Sequence, residues 1–136
     1  MLFHVYADRA SAGLIKAIAV NHFPNDPIFD RSMASDDSRG ESERLLHGFA
    51  AFVKNVLEQK TERVFVFDLF DRIDRAKGEE LAKAFEPLFA AGVEIHAAAE
   101  CGENDAVSAV LAAAECAGYH TVITKSQTEG EKHELS

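Results

Sequence analysis

Val64-Phe-Val-Phe-Asp-Leu-Phe70 is apolar at six of its seven positions, without the alternation that would leave one face wet. A run of this kind reads as a strand covered on both sides, as happens when helices lie on each face of a parallel sheet, and it is placed at the sheet centre. Upstream, Leu45, Phe49, Phe52, Val53 and Val56 repeat at helical period up to about Glu58, and Ser38 with Glu41 has capping-box spacing. The polar stretch Ala34-Ser-Asp-Asp-Ser-Arg-Gly-Glu41 before it reads as a mobile loop, preceded by a weak strand over Ile28–Met33 and a turn at Pro24-Asn-Asp-Pro27. Leu2–Ala7 forms a first strand, and a helix over Ala10–Val20 turns Leu14, Ile15 and Ile18 to one face. Downstream lies a helix over Ala76–Ala91 carrying Leu81, Phe85, Leu88 and Phe89, which Pro87 should kink or divide and Gly92 should end. Val93–Ala98, a helix over Asp105–Ala117 and Tyr119–Thr124 complete the series. This alternation predicts a three-layer, doubly wound α/β fold: a mostly parallel five-stranded sheet with helices on both faces. One domain over 1–125 is expected, followed by a polar, disordered tail over 126–136.

Composition narrows the function classes. A chain of 136 residues holds one core, and 47% apolar with 27% charged residues is a globular balance. No apolar run approaches the roughly 20 residues of a bilayer span, so no membrane partner is expected. The start, Met1-Leu-Phe-His-Val-Tyr-Ala-Asp8, lacks the basic flank of an export signal, which points to the cytoplasm. Cys101 and Cys116 have no metal-ligand spacing, arguing against a disulfide scaffold or a structural zinc site. A net charge of -9 repels a phosphate backbone unless the few cations are focused in one place. Ten phenylalanines and no tryptophan exceed what one small core is expected to hide, and Phe49, Phe52, Phe85 and Phe89 lie on helices that could pack on a twin. A homodimer is expected.

In open α/β sheets ligands bind beyond the carboxyl ends of the strands, which selects Asp8, Arg9, Ser11, Asp68, Asp71, Arg72, Asp74, Arg75, Glu100, Cys101 and Lys125. Arg9-Ala-Ser11 after the first strand, Arg39 in the polar loop and Asp71-Arg-Ile-Asp-Arg75 after the buried strand resemble the catalytic domain of serine recombinases, the resolvase and invertase family. The resemblance spans residues 2 to 98. It implies a site-specific DNA recombinase, with DNA as partner, alone or through a partner protein. Ser11 would be the nucleophile; Arg9, Arg39, Arg72 and Arg75 would clamp the phosphate beside Asp71, with no cofactor. A serine attacking a phosphodiester without metal does need several guanidiniums on its oxygens, and the phosphoserine link would conserve the bond for rejoining.

Asp8, Asp68 and Lys125, with Gly78-Glu-Glu-Leu81, are also similar to a receiver domain, which implies a regulatory role and carboxylates holding Mg²⁺. A plainer account stands beside both. Asp71 and Asp74 would favour a helix N-terminus, Arg72 and Arg75 would lie on a solvated face, and Ser11 would start a helix. His4, His96 and His120 on separate strands read as packing histidines, and Cys101 as an ordinary thiol near a helix start.

Overall fold

The computed structural model describes residues 1–34 and 38–126. Five strands form one parallel sheet: β1 (Leu2–Tyr6), β2 (Ile28–Phe29), β3 (Arg63–Val66), β4 (Glu94–Ala98) and β5 (His120–Thr124). Helices α1 (Arg9–His22), α2 (Glu41–Glu58), α3 (Gly78–Ala91) and α4 (Asp105–Cys116) connect them. The spatial order is β2-β3-β4-β1-β5. Leaving β1 the chain steps one way, to β2; every later step goes the other way. Right-handed crossovers therefore put α1 on one face and α2, α3 and α4 on the other. The core divides accordingly. Phe3, Val5, Val64, Val66, Ile95 and Ala97 meet α2, α3 and α4, whereas Phe65, Phe67 and Ala98 meet Ala12, Ile15 and Ala19 of α1.

Several local readings change. The three-layer parallel α/β class stands, but the run beginning at Val64 is second in the sheet and β4 is its centre. The run is still buried on both faces, because β2 shields its outer edge. It stops being strand at Val66: Phe67 donates to the Phe29 carbonyl at 2.8 Å, and Asp68 then takes a left-handed conformation with φ of 55°. Leu69, Phe70 and Ile73 fold back into the α2–α3 core. Only Ile28 and Phe29 of the second predicted strand pair, and Arg31–Met33 is a 3₁₀ turn capped by Asp30. The α2 N-cap is Gly40 without a side-chain bond, so Ser38 makes no capping box. α3 runs undivided through Pro87, which is exposed, so the carbonyl it leaves unpaired faces water. Gly92 ends α3 in the left-handed conformation, as expected. Tyr119 lies just before β5, buried, with its hydroxyl donating to the Val93 carbonyl at 2.7 Å. Leu14 points outward, 61% exposed. Apolar residues of α1 extend well beyond one face, so periodicity could not choose its inner side, and the small Ala12 and Ala19 allow the closer approach to the sheet.

Nine of the ten phenylalanines are buried, and Phe23 is half-buried, so none is left over for a twin. Phe85 sits among Phe3, Phe49, Phe70 and Phe89 with ring centroids 4.6 to 6.0 Å away. Of the polar loop, positions 35–37 lie outside the described residues; of the tail, Ser126 is described and bonded to Asp8, and 127–136 lie outside. Among the described residues no helix is long and apolar enough to cross a membrane.

Candidate functional site

β1 and β4 are neighbours whose outgoing connections leave in opposite directions, which makes their carboxyl ends the switch point where an open α/β sheet forms its crevice. Asp8 stands there in extended conformation and caps α1. One carboxylate oxygen accepts from the Ser11 amide at 2.7 Å; the other accepts from the Ser126 amide and hydroxyl at 2.6 and 2.9 Å. These donors, the Ser11 amide foremost, hold its carboxyl below the usual range. Asp71 reaches from the loop after β3 to the loop after β4, accepting from the amides of Glu100 and Cys101 at 3.1 and 2.9 Å. Asn104 caps α4 through the Val107 amide and donates to the Cys101 sulfur. Burial first, then Asp71, push the Cys101 thiol up, leaving it a poor nucleophile. Lys125 pairs with Glu103 at 3.1 Å. The polar groups of this edge are thus largely spent on one another.

Ser11 lies in the first turn of α1 and is 5% exposed. Arg9 beside it is exposed and has no partner among the described residues. Arg39 is near His47 of α2 at 3.0 Å, Arg72 shares one Glu41 oxygen with Arg31 at 4.0 and 3.9 Å, and Arg75 begins an exposed 3₁₀ turn that Asp74 caps. Arg39 and Arg72 therefore flank the start of α2, and β4 separates the β3 end, which carries Arg72 and Arg75, from the β1 end, which carries Ser11. Two strand spacings are about 10 Å. Asp8, Asp68 and Lys125 do not converge either. Asp68 lies 3.9 Å from Lys16, in a shallow cavity of about 270 Å³ with Asp30 and Phe67. Among the described residues no three His, Cys, Asp or Glu side chains group as a metal site requires.

Sequence reasoning passed over the face that carries α1. Strand register brings His4, Tyr6, His96, Val122 and Thr124 to that face. His4 and Thr124 bond at 2.5 Å, His4 stacks on Tyr6 at 4.1 Å, and the Tyr6 hydroxyl meets His96 Nδ1 at 3.2 Å. His96 Nε2 meets Glu94 at 2.8 Å, Arg63 donates to Glu94 at 2.7 Å, and Arg63 reaches Asp26 at 3.1 Å. Burial raises the Glu94 carboxyl, but the bonds from Arg63 and His96 outweigh it and hold it below its ordinary value. Burial, then His96, lowers His4; burial, then Glu94, raises Tyr6. His4 and His96 do belong to packing, inside one satisfied network, whereas His120 at the start of β5 is exposed and outside it.

α1 crosses from β1 towards β2, so among the described residues no helix covers the β1–β5 half of this face, where Leu2, His4, Tyr6, Val122 and Thr124 are half-buried. The outer side of α1 is unusual too. Ala10, Gly13, Leu14, Ala17 and Val20 are all exposed, Leu14 and Val20 by 61 and 62%. The helix carries Arg9, Lys16 and His22 and no acid, in a protein of net charge -9. The lack of acids and the spread of apolar residues beyond one face were the available signal. Compared with protein-family models, curated proteins and solved structures, the chain matches none.

Proposed function

We propose that this chain is a non-catalytic α/β binding domain of regulatory type, whose working surface is the outer side of α1 with the β1–β5 half of the sheet beside it. The observation that carries the reading is the exposure of Leu14 and Val20 on an acid-free helix next to an uncovered sheet half. Large apolar side chains on the outer side of a helix are ordinarily covered by a partner. Solvated helices of this chain look different: α2 and α3 place Glu41, Glu43, Glu79 and Glu80 in their first turns. The carboxyl edge supports the same choice. Asp8, Asp71, Lys125 and Arg72 are engaged within the fold, and Ser11 is nearly inaccessible.

Two measurements test this. Incubation with nicked DNA is expected to give no covalent protein–DNA adduct; an adduct that disappears in Ser11→Ala would establish strand cleavage and sink the proposal. In dilute protein, an apolar fluorescent dye is expected to bind, and to lose most of its signal when Leu14 and Val20 are both changed to Lys. Unchanged dye binding would remove the α1 face as the working surface.

A further inference from the structure

We infer that the partner on this face is a second copy of the chain, an inference that rests on the proposed binding role. Two surfaces that no other element covers among the described residues lie side by side: the outer stripe of α1, and the half-sheet floor of Leu2, His4, Tyr6, Val122 and Thr124. Each fits the other. Laid face to face about a two-fold axis, two copies place α1 of one on the β1–β5 floor of its partner, and the reverse, so both surfaces are covered by one isologous contact. The two helices then run side by side and parallel between two sheets, and the missing layer of each copy is supplied by the other. Lengths agree: fourteen residues of α1 extend about 21 Å, and strands of five residues span about 17 Å.

Charge selects this occupant as well. Each chain carries -9, so most faces of two copies repel, whereas α1 brings only cations and a histidine to the contact. α1 begins at the carboxyl edge of its own sheet. The parallel arrangement therefore sets Arg9, which has no partner among the described residues, opposite the carboxyl ends of the partner's β1 and β5, where Asp8 is bonded only to neutral amide and hydroxyl donors and keeps its negative charge. The small residues Gly13 and Ala17 permit close approach; a Cβ added at Gly13 would meet nothing within 4 Å in its own chain.

Sedimentation equilibrium of the full chain at high micromolar concentration tests the assembly. The expected mass is twice 14.9 kDa. Leu14→Glu and Ala17→Arg, of opposite charge, should each raise the dimer dissociation constant by about 100-fold, as burying an unpaired charge does. Val122→Lys on the floor should do the same, and Lys83→Glu on the exposed side of α3 should not. Far-ultraviolet circular dichroism checks that each variant is folded. A monomeric wild type overturns the second-copy inference alone and leaves the binding role to the dye measurement. A dimer that survives Leu14→Glu and Ala17→Arg uses another surface: it too overturns the second-copy inference and leaves the binding role to the dye measurement. One that yields to these two but survives Val122→Lys overturns the helix-on-sheet arrangement.

Discussion

Asp71 decides between two accounts of the Asp71-Arg-Ile-Asp-Arg75 segment, and its replacement separates them. Its two oxygens accept from two consecutive amides, Glu100 and Cys101, which tie the loop after β3 to the loop after β4. No other acceptor among the described residues takes those two N–H groups. In Asp71→Ala both bonds go. A half-exposed carboxylate accepting from backbone contributes about 1 kcal/mol per bond, at the lower end for charged acceptors, so the loss is about 2 kcal/mol. With an unfolding entropy of about 2.1 cal/mol/K per residue, 136 residues give about 0.29 kcal/mol/K. The melting temperature should fall by about 7 °C. Asp71→Asn keeps one acceptor oxygen and should lose about half as much. Amide exchange supplies the local readout: Glu100 and Cys101 should lose protection in Asp71→Ala while amides of α2 keep theirs. A loss under about 0.5 kcal/mol, with both amides still protected, would refute the latch and return Asp71 to the pool of unexplained polar groups.

Phe85→Ala, at a fully buried ring with four aromatic neighbours, should cost about 3 to 5 kcal/mol in urea unfolding, against under about 1 for Lys54→Ala on the exposed side of α2. Gly48→Ala should destabilise although alanine favours helices by about 1 kcal/mol, since its Cβ would stand 2.3 Å from the Met33 carbonyl oxygen; a rise in melting temperature would show that the turn after β2 yields. His4 is held below its ordinary 6.5 by burial and by His96, so the unfolded chain takes up this proton first. Stability is therefore full above pH 6.5 and falls as pH drops through that value, and His4→Gln should flatten the melting-temperature profile there. Tyr119 is pushed up to about 12 by burial, so the unfolded chain ionises first; stability should fall as pH rises above 10, and Tyr119→Phe should reduce that slope, leaving the share of Tyr6, which is also raised.

Much of the fold was legible because its information is periodic. Val64–Phe70 announced burial on both faces, and the helical repeat from Leu45 to Val56 announced α2 and its inner side. What periodicity could not supply was lateral order. Nothing local to β3 or β4 says which is central; that follows from β1 leaving in one direction and every later strand in the other. Ends of elements were lost to tertiary partners: Asp68 turns left-handed where β2 has run out, and Gly40, with no side chain, replaces Ser38 as the cap.

The site shows the same division. The sequence determined that Asp8, Asp71 and Ser11 would stand near the carboxyl edge, because residues just after strands can stand nowhere else in a parallel sheet. It also determined that α1 would be free of acids, with apolar residues beyond one face. Only the tertiary structure decided that Asp8 would be consumed by Ser11 and Ser126, and Asp71 by Glu100 and Cys101. It decided, too, that among the described residues no helix would cover half of one sheet face beside Leu14. The physical reason is that hydrogen-bond partners and uncovered surface are pairings between segments distant in the chain. They exist once strand order is fixed, and no local pattern encodes that order.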